Sequence, residues 1–287
     1  MDKAASGWIN GLIGIAIFSG SLPATRVAVM DFDPVFLTVA RAAIAGLLGA
    51  LLLMRFSRAR PARGDLLSLI VVALGVVVGF PLLTALALQH ITSANSIVFI
   101  GLLPLATAIF AVVRGGERPK PAFWVFSLLG TAVVGVYALT QGVQAAATGN
   151  LLMLAAIVAC GLGYAEGARL SRTLGGWQVI SWALVLSLPV MLALTVATLP
   201  ATFADVGTPA WISLGYVSLF SMLIGFVFWY RGLAQGGIAS IGQLQLLQPF
   251  MGFALAALLL GEAVTWPMLA AALAVIACVS AARRFAR

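Results

Sequence analysis

A chain of 287 residues that is 62% hydrophobic and 8% charged, with mean hydropathy +1.12, has too few polar side chains to coat a water-soluble globule. Its net charge of +8 speaks for membrane topology and not for nucleic acid, because the basic residues sit in short clusters between long apolar stretches. Cys160 and Cys278 both fall inside apolar stretches and lay out no disulfide framework.

Ten hydrophobic spans are expected, near residues 8–29, 34–54, 66–87, 93–113, 121–141, 150–168, 177–198, 210–230, 238–260 and 266–282. About 20 apolar residues are needed to cross the hydrocarbon layer as a helix, and lipid offers backbone N–H and C=O groups no other partners. The fold class predicted is therefore an all-α membrane protein of ten transmembrane helices. The first span runs into Pro-Ala-Thr-Arg, which is no small-residue cleavage site, so it is read as a retained helix. Arg55, Arg58, Arg60 and Arg63 follow the second span; Arg114, Arg118 and Lys120 follow the fourth. Arg169 and Arg172 follow the sixth, Arg231 the eighth, and Arg283, Arg284 and Arg287 the tenth. With Lys3 these make 14 of the 16 basic residues, all on one side of the ladder; Arg26 falls in an opposite loop and Arg41 inside the second span. Basic flanks resist translocation, which predicts both termini in the cytoplasm and the chain in the inner (plasma) membrane.

The chain is also written twice. Leu102, Pro104, Ala111, Gly116 and Glu117 meet Leu247, Pro249, Ala256, Gly261 and Glu262 at a shift of 145 residues, and Gly79-Phe80 meets Gly225-Phe226 with a slip of one. Two domains follow, 1–144 and 145–287, each of five spans. An odd number of spans sends the second copy through the membrane from the opposite side. The charges agree: the basic loop Arg55 to Arg63 corresponds to Pro200–Pro209, which has no basic residue and one Asp. Inverted repeats of this kind characterise secondary transporters, with the cargo site near the midplane between the halves.

Two five-span halves, a proline in the fourth span of each, and Gly-Glu closing that span resemble the drug/metabolite transporter superfamily, in its EamA-like family. The aromatic-rich spans are most similar to the YddG-type amino-acid exporters. The resemblance covers essentially the whole chain. It implies two inverted five-helix repeats around a central cavity, and export of amino acids or similar small metabolites by alternating access. It further implies a functional monomer bounded by membrane lipid, and no cofactor. The rival readings are a membrane-embedded enzyme acting on a lipid-type substrate, a passive channel, and a drug or sugar-phosphate carrier. An enzyme needs catalytic carboxylates or a nucleophile–base pair at cavity depth, and the spans offer neither. No Walker-type loop, metal-ligand cluster or Gly-x-Ser-x-Gly elbow is present.

Candidate site residues follow from polarity at membrane depth, where each polar group costs free energy unless paired or wetted. Gln243, Gln245 and Gln248 lie in the ninth span, either as interhelical glue or as a zwitterion's receptor, since amides both donate and accept. Phe80, Phe99, Tyr164, Phe226, Trp229 and Tyr230 are candidates for an apolar pocket wall, with Trp229 and Tyr230 also candidates for an interfacial belt. His90 stands at the junction of spans three and four, at a cavity mouth or in a solvated loop. Pro104 and Pro249 read as static kinks or as paired hinges. Glu166 is either ion-paired with Arg169 or Arg172, or a proton site. Arg41 can receive a carboxylate, but snorkelling or pairing with Asp31 or Asp33 is the expectation.

Overall fold

The structure, a computed structural model, describes residues 3–56, 60–115, 120–140, 145–236 and 241–285. Among these residues helix is the regular structure throughout, with no strand. Seven helices are long and apolar enough to cross a membrane: α1 (Ala5–Asp31), α2 (Pro34–Phe56), α3 (Arg63–Ala87), α4 (Ser93–Val113), α6 (Ala147–Leu174), α7 (Gly176–Ala197) and α8 (Thr208–Leu233). Three shorter apolar helices, α5 (Pro121–Val134), α9 (Leu244–Leu260) and α10 (Trp266–Ala282), stand where the fifth, ninth and tenth spans are expected. Large apolar side chains such as Leu67, Leu128, Val196 and Leu258 point outward, 68–81% exposed. Such a surface suits hydrocarbon and would be an aggregation hazard in water.

Helix α1 runs along α8, and α3 runs along α6; α2 packs on α7, α4 on α9 and α5 on α10. Every one of these pairings survives exchanging the first five helices for the last five. The two longest interfaces close on glycine. A Cβ added at Gly232 of α8 would come within 2.7 Å of the Gly11 backbone N and 3.0 Å of its Cα, on α1. One added at Gly75 of α3 would come within 2.6 Å of the Ala159 carbonyl and 2.9 Å of the Gly163 Cα, on α6. The Gly7/Gly11, Gly75/Gly79 and Gly232/Gly236 spacings thus mark close backbone approach at Gly11, Gly75 and Gly232.

Two of the long helices are wound irregularly at matching places. Helix α3 is a π-helix over Ala73–Gly79 and α8 over Val217–Ile224. Helix α4 is interrupted at Gly101 and Leu102, whose N–H groups reach back three residues, to Val98 (3.2 Å) and Phe99 (2.9 Å). Helix α9 opens with a 3-10 stretch, Gly242–Leu247. Pro104 is then the second residue of the helix Leu103–Gly115, and Pro249 the second of Gln248–Leu260. The irregular turn immediately precedes each proline, where the missing N–H and the ring leave the preceding turn without its α-helical bond.

The ends of the bundle are tied by polar contacts. At the end bearing Asp31, the Glu262 carboxylate accepts from Ser93 N (3.1 Å), Ser93 Oγ (2.7 Å) and Ala94 N (2.7 Å), capping the free N–H groups that open α4. Asp31 accepts from Gly207 N at 2.9 Å, Tyr137 donates to Asn95 at 2.7 Å, and Arg26 donates to the Leu88 carbonyl. Arg26 lies within α1 and not in a loop. At the opposite end Asn10 donates to Gln235 at 2.8 Å, joining α1 to α8.

Candidate functional site

Between α1, α2, α3, α4, α6, α8 and α9 lies a narrow cleft, in which the centre of a water-sized sphere can reach about 30 Å³. Its polar lining is Ser21, Thr25, Arg41, Thr84, Ser221 and Gln248; its aromatic lining is Phe18, Phe80, Tyr164 and Phe226. The irregular windings deliver these residues. Ser221 belongs to the π-helix of α8, Val76 to that of α3, Phe80 and Phe226 follow the two π-helices closely, and Gln248 follows the 3-10 stretch of α9. Irregular backbone at membrane depth is tolerated where it is buried in protein or lines a cavity, and π-turns are frequent at functional sites.

Arg41 is the cation of this lining. It is 5% exposed, its Nη2 donates to Ser221 Oγ at 3.1 Å, and Ser221 Oγ shares a 2.7 Å hydrogen bond with Ser21 Oγ. Its Nε has no hydrogen-bond partner. The expected pairing with Asp31 or Asp33 does not occur: Asp31 serves Gly207, and Asp33 caps α2 through Val35 N (2.8 Å) and Phe36 N (3.0 Å). Snorkelling is also ruled out by that burial. A guanidinium matches the carboxylate fork geometrically, and this one lines the cavity with a donor left unpartnered.

The aromatic wall is continuous. Phe18 meets Phe226 edge-on at 4.9 Å, Tyr164 meets Phe226 at 5.9 Å and 89°, and Trp229 backs both Phe18 (6.5 Å) and Tyr164 (6.4 Å). Trp229 and Tyr230 are 1% and 0% exposed, so neither belongs to an interfacial belt.

Of the predicted site residues, Phe80, Tyr164, Phe226 and Gln248 line the cavity, and the Gln248 Oε1 atom is buried without a partner. Trp229 stands one layer behind. Gln245 is 3% exposed with an unpartnered Nε2, yet it does not line the cavity; Phe99 is wholly buried away from the lining. His90 is exposed in the turn after α3, away from the cavity. The Gln243 side chain lies outside the described residues. Glu166, 1% exposed, accepts from Arg169 Nη2 (2.9 Å) and Nε (3.2 Å), which is the ion-paired alternative of the two read from sequence. Ser21, Thr25, Thr84 and Ser221 were missed. The one legible signal was Ser21 and Thr25 standing four apart, on one helix face within an apolar run.

The EamA-like transporter family matches the chain twice, over residues 5–140 and 147–282. An uncharacterized transporter of Bacillus subtilis (strain 168), YdeK, is 67% identical over 287 residues, covering 100% of both chains. A solved crystal structure shares the fold with TM-score 0.66 at 20% identity, over 97% of this chain and 96% of that one. The resemblance carried by the paired prolines and Gly-Glu motifs is thereby confirmed, and the chain is a multi-pass membrane protein of a transporter family.

Proposed function

We propose that this chain, which belongs to the EamA-like transporter family, exports small carboxylate-bearing metabolites, amino acids among them, across the inner (plasma) membrane by alternating access. The observation that carries this reading is Arg41: a buried guanidinium, hydrogen-bonded to Ser221 and unpartnered on Nε, set in the wall of a cavity between the two halves. Arg41 receives the carboxylate, the rings of Phe18, Phe80, Tyr164 and Phe226 take an apolar body, and Gln248 Oε1 accepts from a donor group. Among the lining residues Arg41 is the one cation, which speaks against a sugar phosphate as cargo. We read the functional unit as a monomer.

The test is counterflow in proteoliposomes across a panel of labelled carboxylate-bearing metabolites. Saturable exchange is expected, and Gln248→Leu should weaken binding by about 0.5–1.5 kcal/mol for the lost neutral hydrogen bond. Flux that rises linearly with concentration, without exchange, would indicate a channel and overturn the reading.

Alternating access through inverted halves puts positions 62 and 205 on opposite sides of the membrane, with both termini cytoplasmic. In a background lacking Cys160 and Cys278, Ala62→Cys should label only from the cytoplasm and Asp205→Cys only from outside. Labelling of both from one face would reject the inverted arrangement. The hinges of this motion are the breaks just before Pro104 and Pro249. Pro104→Ala and Pro249→Ala should slow turnover while leaving cargo affinity intact, because alanine lets each half-helix wind back through its break. An unaltered rate in the double variant would make the prolines static.

A further inference from the structure

We infer that the cargo of the Arg41 site is a net anion, so that each export cycle moves negative charge outward and the membrane potential itself drives it; this deepens the transporter reading above and rests on it. The chain has eight Asp and Glu residues, of which Asp2 and Glu117 lie outside the described residues. Asp31 serves Gly207, Asp33 caps α2, Asp65 accepts from Ala62 N at 3.0 Å, and Glu262 caps α4. Asp205 is exposed in the loop before α8, and Glu166 is held by Arg169. None of these six lines the cavity.

The described cavity wall therefore carries one positive charge with no counter-charge. A charge at membrane depth is costly unless something neutralises it. A monoanion makes the loaded cavity neutral. A zwitterion leaves it at +1 and brings an ammonium group to a wall that offers it hydroxyls and the Gln248 amide oxygen but no carboxylate. The anion without an ammonium group is the better-matched cargo. Over a full cycle the protein's own charges return to their places, so the charge moved is the cargo's alone. A potential of about 100 mV, negative inside, holds a monoanion about 50-fold more concentrated outside at equilibrium and leaves a zwitterion undisplaced. Export then needs no proton carrier, in keeping with Glu166 being engaged by Arg169.

The experiment uses matched pairs differing at one position: alanine with pyruvate, leucine with 4-methyl-2-oxopentanoate, phenylalanine with phenylpyruvate. Proteoliposomes of the full chain are adsorbed on a solid-supported membrane and the current on substrate addition is recorded, alongside flux under an imposed potassium-diffusion potential. At least one keto acid is expected to give a current, to follow the potential, and to bind at least tenfold more tightly than its amino partner. Arg41→Lys should give a reduced current and Arg41→Gln should lose it, with thermal unfolding reporting whether each variant is folded; the wild-type currents decide the matter alone if Arg41→Gln fails to fold. Potential-independent counterflow of amino acids with no keto-acid current would overturn the inference and leave the transporter reading standing. Absence of saturable flux for every pair would overturn both.

Discussion

Arg41→Gln is expected to weaken binding of a carboxylate cargo by about 1.5–3 kcal/mol, roughly 10- to 100-fold in Kd, the usual worth of hydrogen bonds to a charged group. Arg41→Lys should fall between, since an ammonium keeps the charge and loses the planar fork. The same substitution carries a second, opposite expectation. Arg41 has one hydrogen bond to a side chain, an unpartnered Nε and 5% exposure, so the empty protein bears the cost of an uncompensated buried charge. Neutralising it should leave the melting temperature unchanged or raise it. Binding isotherms and thermal unfolding of the purified protein check both halves. A Kd that does not move would place the carboxylate elsewhere, and a sharp loss of stability would make Arg41 a structural strut.

Gly75→Leu and Gly232→Leu should prevent the bundle from closing. The atoms that a Cβ would meet belong to the backbones of α6 and α1, which cannot rotate aside as a side chain can. Overpacking of this kind costs about 1–3 kcal/mol when small, and more when whole helices must part. Gly75→Ala should already lower the unfolding temperature, and the leucine variants should be recovered poorly or as aggregates in size-exclusion chromatography. Gly64 supplies the control: it is exposed with nothing within 4 Å of an added Cβ, so Gly64→Ala should behave as wild type. Intact leucine variants would mean that the two interfaces slide freely.

Much of the architecture was legible in the sequence because membrane insertion is written in hydropathy and charge, both local properties. The apolar runs gave the helices, and the paired Pro and Gly-Glu positions gave the family. Within the site, Gln248 stood out as an amide in an apolar run, and the three-residue spacing of Glu166 and Arg169 carried the ion pair that the structure contains. Arg41 was visible, but its surroundings were not. Its partner Ser221 is 180 residues away and faces the cavity through the winding of α8. The π-helices themselves left no trace in composition, since Val217–Ile224 is as apolar as any α-helical run around it. Phe99 and Phe80 look alike in sequence; which of them reaches the cavity depends on how α3 and α4 are turned.

Those two π-helices also set where a change in one helix is felt. Each such turn carries one residue beyond α-helical count, so relaxing it to α-form rotates everything downstream by about 100°. The stretch just downstream holds Phe80 in α3 and Phe226 in α8, one ring from each half of the wall. A shift of winding by a single residue would carry a phenyl group off the cavity, and in α8 it would also turn Gly232, which lies downstream, off its close approach to Gly11 of α1. The winding of α8 thus ties the lining of the cavity to the packing of α8 on α1.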